Sequence, residues 1–415
     1  MTKARIVNTI RLPLALLLIG LEFTNLIPFL AEQGNVQYSR YPFQYLGYGM
    51  CIWLILLDHR IAKRVLQKPL VLWVFGTLML LTWAMLVRTF NSPIGYTNYL
   101  FLREFGVQVN SIAFLLTCVV MFDDPYVLHL TKRVVVIATL VGVLLSVCDV
   151  LKPGTFSNIP GRGAGLYVQP NGAGMATVFG CLIGLTVIRR RWSREVFFLC
   201  CLIGVTATFS REAMVAFAVV PVAGSLSGVL SPRRLLVAGG IGIALFVVFN
   251  LAGTLSDNDV LNANWSRLTL HWSDSSTIAR ERLAEKTVEA FEEAPLIGQG
   301  FGTTLYWNDN QSHNSYLSLV ADCGIVGILV IPALILSIRR RAWDFYAFAS
   351  IFLVWGLFSH TLLSDLFGLI SLAIQADEPC EHKQGAQACE LGTSLRHGVI
   401  PPTDLRRTVE RRLST

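Results

Sequence analysis

The chain has 415 residues, of which 53% are hydrophobic and only 15% charged, with a formal net charge of +7 and a mean hydropathy of +0.55. Soluble globular chains carry about 45–50% apolar and about 25% charged residues, so a soluble enzyme, a nucleic-acid-binding domain and a disordered protein are excluded as readings of the whole chain. An all-α, polytopic helical membrane protein is predicted, in contact with membrane lipids and with no nucleic acid. The nine cysteines fall mostly inside apolar runs, which argues against a disulfide framework.

A spanning helix needs roughly 20 mainly apolar residues. Twelve candidates follow in chain order, at about 10–30, 42–57, 70–87, 105–122, 134–151, 166–188, 196–210, 212–230, 235–253, 314–338, 345–360 and 362–376. The first follows Lys3, Arg5 and Arg11 like the start of a signal peptide, but no small-residue cleavage site comes after it, so it reads as a retained anchor. Basic residues set the orientation. With the N-terminus in the cytoplasm, 24 of the 34 Lys and Arg residues lie on the inner side, and the bias predicts that both termini are cytoplasmic. The predicted organisation is a transmembrane domain over 1–376, with one large outer helical loop at 254–312, and a hydrophilic cytoplasmic tail over 377–415. In that tail Cys380, His382, Cys389 and His397 match no common zinc spacing.

Eight of the ten outer cations are Arg, the side chain suited to bidentate contact with phosphate or carboxylate. Snorkelling from span ends accounts for Arg40, Arg88 and Arg103. Between residues 160 and 174, Pro160, Arg162, Pro170 and Asn171 stand among five glycines. This predicts an irregular start to a span, tolerated where protein or a water-filled cavity surrounds it; a small-residue packing face is the alternative. Arg211, in Ala207-Thr-Phe-Ser-Arg-Glu-Ala213, sits between two apolar runs with almost no loop to hold it. A ligand anion or the neighbouring Glu212 are its two candidate partners.

In the outer loop, residues 276–294 form an amphipathic helix with Ile278, Leu283, Ala284, Val288 and Phe291 near one face, ended by Pro295. The following Gly298-Gln-Gly300-Phe-Gly302 reads as a plain turn or as a source of amide groups for a phosphate. His313 then stands at the outer boundary just before a span, where an imidazole suits general-base work near neutral pH. An ordinary polar cap is the other reading. His271 and His360 are further outer histidines.

Four short motifs in order give a resemblance. Gly161-Arg162 with Gln169-Pro-Asn171, Ser210-Arg211, Arg280 ahead of Pro295-Leu-Ile-Gly298-Gln-Gly300, and His313-Asn314 with Gly324-Ile-Val-Gly327 resemble the O-antigen ligase and polymerase superfamily of bacterial envelope glycosyltransferases over about residues 150–375. Gln169 stands where the family usually has Asn, and the hydrophilic tail is not a family feature. The resemblance implies transfer of a glycan from an undecaprenyl-pyrophosphate-linked donor to an acceptor hydroxyl, at the periplasmic face of the inner membrane. For a ligase the acceptor is the lipid A-core oligosaccharide. For a polymerase it is another carrier-linked repeat.

The residue chemistry fits that implication. Arg211 and Arg280, with Arg162 as a helper, stabilise the leaving pyrophosphate. His313 takes the acceptor's proton, and Asn171 and Asn314 are candidate substrate contacts. No metal or other cofactor is then required. One dominant outer loop favours the ligase branch over the polymerase. A secondary transporter or flippase, the reading from a different class, normally shows related halves and midplane charges, and the sequence has neither.

Overall fold

The structure is a computed structural model that describes residues 3–33, 41–91, 96–233, 236, 239–240, 275–304 and 313–377. Almost all of the predicted span at 235–253, most of the outer loop with Arg267 and His271, Arg40, and the tail after Asp377 lie outside the described residues. The chain divides into two units, the larger comprising Met1–Arg339 and Trp343–Asp377. Every feature discussed below belongs to that unit.

Within it, the described residues form helices and no strands. In chain order they are α1 (Lys3–Phe23), α2 (Leu26–Gln33), α3 (Tyr41–Leu57), α4 (His59–Leu66), α5 (Pro69–Asn91), α6 (Tyr96–Phe122), α7 (Pro125–Leu151), α8 (Pro170–Val187), α9 (Arg191–Ala207), α10 (Arg211–Leu226), α11 (Ser275–Glu293), α12 (Ser315–Cys323), α13 (Val330–Ser337), α14 (Trp343–Gly356) and α15 (Leu366–Asp377). Five stretches are long and apolar enough to cross a membrane: Pro69–Asn91, Leu100–Phe122, Pro125–Leu151, Pro170–Val187 and Ser315–Ser337. A sixth is the pair α1 and α2, bent by 53° where Asn25 adopts a left-handed φ of 57°. Of the remaining described helices, α11 has 19 residues but is too polar to cross, and the others are shorter than a full crossing.

Apolar composition all round a helix calls for burial on every side, and α8 and α15 meet that demand. Nearly every residue of Ala173–Leu185 and of Leu366–Gln375 is buried. Peripheral helices instead present Leu56, Leu72, Met79 and Phe90 outward, an apolar surface that lipid, not water, can solvate. Close approach is bought with small residues: a Cβ on Gly174 of α8 would stand 2.5 Å from the Cβ of Ala213 on α10, so these two helices touch almost backbone to backbone.

The two ends of the bundle differ in charge. At one end Arg64 pairs with Asp123 at 2.6 Å and Lys68 with Asp377. There the buried Arg11 donates to the carbonyls of Val120 and Met121 at 2.6–3.0 Å, which places a cation against the negative C-terminal end of α6. These contacts gather the basic connections that the positive-inside count assigns to the cytoplasm. At the other end lie the 152–169 loop and the termini of α8, α10, α11, α12 and α14.

Candidate active site

The site begins with the loop that precedes α8. Its course is irregular, as the glycines predict, with left-handed φ at Gly161, Gly165 and Val168, and the helix starts at Pro170, a few residues later than the predicted span. Three ties fix it. The buried Asp149 accepts from the Phe156 and Ala164 amides at 3.0 and 3.1 Å. Asn25 donates to the Leu166 carbonyl at 2.9 Å, and the Tyr167 hydroxyl donates to the Phe23 carbonyl. Arg162, 6% exposed, donates through Nε to the Thr208 carbonyl at 3.0 Å and through Nη2 to Asn171 Oδ1 at 2.9 Å. It therefore binds the loop, the junction of α9 and α10, and the first turn of α8 together.

The second piece is the start of α10. Ser210 is its N-cap, accepting from the Ala213 amide at 3.3 Å, so Arg211 and Glu212 occupy the first turn. Glu212 is buried and faces α11, where Arg280 Nη2 meets its Oε1 at 2.8 Å. The carboxylate thus bonds to a residue far along the chain. Arg162 and Arg211 are also close enough for their charges to act on it. Of the three arginines singled out in the sequence, Arg280 bonds Glu212 directly, while Arg162 is bonded to Thr208 and Asn171.

Helix α11 ends before Pro295 as predicted, and its predicted face is buried only in part, with Ala284 and Phe291 half-buried. Leu283, Thr287 and Ala290 are buried, while Ile278 and Val288 are 41% and 42% exposed. The packed stripe repeats at i, i+4 and i+7 through small side chains that fit against α12, and Arg280 continues it toward Glu212. The turn that follows uses its amides on protein. Gln299, Gly300 and Phe301 donate to the carbonyls of Ala321, Asp322 and Ala84 at 2.8–3.2 Å, and Gly302 and Thr303 donate to the Asp322 carboxylate at 2.9 and 3.0 Å. With those groups engaged, the plain-turn reading holds and the phosphate reading of the glycines falls.

The third piece explains why His313 is followed by Asn-Ser-Tyr. Asn314 caps α12, its Oδ1 accepting from the Tyr316 and Leu317 amides at 3.0 and 3.1 Å. Ser315 donates to the Ser359 carbonyl, and Tyr316 donates to the Leu353 carbonyl at 3.1 Å. Asn314, Ser315 and Tyr316 are thus pinned, which aims the imidazole at the end of α14. There it meets His360 edge to face, with ring centroids 5.4 Å apart. Helix α14 ends at Gly356, earlier than the predicted span, so His360 lies in the connection to α15.

A cavity of about 410 Å³ is the result. Gln169, Asn171 and Gly172 line it from α8, Glu212 from α10 and His313 from the start of α12; Trp355, Phe358, Ser359, His360, Thr361 and Asp365 come from the end of α14 and the loop to α15. Of the last group only His360 stood out in the sequence, as a further outer histidine, although the polar run Ser359-His360-Thr361 interrupting apolar sequence was a signal for its neighbours as well. Burial, and after it the Arg280 charge, holds the His313 imidazole below its ordinary value. His360 is pushed down to about 4 by burial and by His313. Both rings are therefore neutral near pH 7 and able to accept a proton.

The fold and site define a helical membrane protein with a polar, histidine-bearing cavity at one end of its bundle. Residues 196–332, about a third of the chain, match the family model described as O-Antigen ligase. The matched segment contains Arg211, Arg280 and His313, so these three candidates lie in the part of the chain that is similar to that family. No curated protein matches the chain.

Proposed function

We propose that the protein is an O-antigen ligase that transfers a glycan from undecaprenyl pyrophosphate to the lipid A-core oligosaccharide, at the periplasmic face of the bacterial inner membrane. The observation that carries this reading is the Arg280–Glu212 ion pair, whose carboxylate forms part of the wall of the cavity that holds His313. A guanidinium beside the cavity suits a diphosphate, and the neutral imidazole suits an acceptor hydroxyl.

In this reading the acceptor oxygen attacks the anomeric carbon as the bond to the diphosphate breaks. The electron pair leaves on the phosphate oxygen, where Arg280 and Arg211 stabilise it. The proton passes to His313. Arg162, already committed to Thr208 and Asn171, shapes the pocket and adds to the positive field. The Asn314 carbonyl oxygen is taken by its cap, which leaves its amide NH2 for substrate, whereas Asn171 opens onto the cavity directly. In a twelve-span topology with both termini cytoplasmic this end would face the periplasm.

The test is reconstitution of the purified full-length protein with a synthetic undecaprenyl-pyrophosphate oligosaccharide and lipid A-core acceptor in excess chelator, following the acceptor's shift on a gel. Transfer to lipid A-core that is lost in His313→Ala and Arg280→Ala supports the ligase. Elongation of carrier-linked chains alone assigns the polymerase reaction, and absence of transfer to both acceptors removes the glycosyltransferase reading.

A further inference from the structure

Behind His360 lies a second, smaller cavity of about 70 Å³, lined by Leu81, Glu104, Gln108, Phe301, Thr304, Ser315, Ser318, Leu319, Asp322, His360 and Leu363. His360 lines both cavities and touches His313 edge to face. Its Nδ1 is buried without a hydrogen-bond partner among the described residues, an arrangement that is costly unless water or a proton uses that nitrogen. The small cavity is polar on one side and has room for a few waters. Two of its hydroxyls are linked, Thr304 Oγ1 donating to Ser318 Oγ at 3.3 Å, which donates in turn to the Asn314 carbonyl at 2.9 Å. Glu104, whose side chain is 30% exposed, gives that chamber an outlet.

We propose that His360 relays the acceptor's proton from His313 through this small chamber to water at Glu104. The inference rests on the transferase reading above. Each transfer forms one glycosidic C–O bond and breaks one C–O bond to the diphosphate, which keeps the electron pair. One proton is left on His313 and must depart before the next cycle. While donor and acceptor fill the larger cavity, His313 is cut off from bulk water on that side, and His360 opens the other side. His360 thus acts through His313. Around it stand His313 before α12, Asp365 before α15, Glu104 on α6 and Asp322 on α12, with Arg280 of α11 acting on His313.

The experiment compares the first turnover with steady-state turnover in the reconstituted full-length protein, using the same synthetic donor and lipid A-core. His360→Gln is expected to lower steady-state kcat about tenfold more than it lowers the first turnover, with added imidazole buffer restoring the difference. Unchanged steady-state kcat overturns the relay. So does an equal loss in both phases that imidazole does not rescue, since that is what a purely structural role produces. If His360→Gln does not fold, Glu104→Gln at the outlet reads the same split, and an unaffected steady state there overturns the route. A wild-type protein that transfers to no acceptor brings down the underlying transferase reading instead, which is distinguishable because no variant is then needed to see it.

Discussion

Arg280 of α11 reaches Glu212 of α10 at 2.8 Å, and that carboxylate forms part of the cavity wall in which His313 stands. The pair orients the guanidinium before any donor arrives. Removing the carboxylate frees Arg280 to leave the wall, and with 39% of its side chain exposed the pair is worth more than a surface bridge and less than a buried one, about 1–3 kcal/mol. Glu212→Gln is expected to raise the donor KM about tenfold while the fold survives. A donor titration by transfer rate, beside a thermal melt in detergent, checks this; an unchanged KM would mean that Arg280 is held by something else.

The pH dependence follows from His313. Burial and Arg280 keep its folded-state pKa below the ordinary value, and a base works only when neutral. Activity is therefore retained as pH falls through about 6.5 and is lost only below the depressed value. Replacing Arg280 with Gln removes one of the two causes, so the acid limb of kcat/KM moves up toward the ordinary imidazole range. Profiles of both proteins between about pH 4 and 8 decide it, and a limb that moves down in the variant contradicts the sign.

Much of this site could be read from sequence because its motifs are local. His313 with its Asn cap, Arg280 ahead of the Pro295 turn, and the glycine-rich start of α8 each announce an irregular, polar segment at a span boundary. Two features were not legible. Glu212 looked like a partner for Arg211, yet adjacent residues on a helix do not face one another, and the true partner arrives from α11. The face of α11 was placed only in part because Ile278 and Val288 weigh heavily in an apolar pattern, whereas its packing uses Thr287 and Ala290. His360 belongs with both: its meaning comes from the loop after α14 folding back onto His313, a contact that no local spacing encodes.

Arg162 makes two directed bonds from one planar head group, to Thr208 and Asn171. A lysine keeps the charge but cannot span both acceptors. Hydrogen bonds to charged groups contribute about 1.5–3 kcal/mol each, so Arg162→Lys should destabilise the protein by roughly one such bond. Coupling to Asn171 is the specific expectation. In a double-mutant cycle with Asn171→Ala, the two losses should fall short of additive by at least about 0.5 kcal/mol. Simple additivity in melting and in transfer rate would separate the two residues.

The turn after α11 makes the sharpest stability prediction. Gly300 has φ of +97°, and a Cβ built there would lie 2.5 Å from the Arg88 amide nitrogen and 2.7 Å from its Cα, both backbone atoms that cannot rotate away. Gly300→Ala must therefore displace the turn from α5, at a cost of about 1–3 kcal/mol for the backbone conformation alone. Asp322 holds the other side of the same turn through the Gly302 and Thr303 amides, and Asp322→Asn keeps the shape but gives up part of that acceptance. Because Asp322 lies on α12, whose N-cap Asn314 directly follows His313, loosening the turn reaches the active site through one rigid helix. Gly300→Ala should lower the melting temperature and the transfer rate together, and Asp322→Asn should do the same to a smaller extent. A Gly300→Ala protein with wild-type melting and turnover would show that the turn is free of α5 and that its glycine serves no close approach.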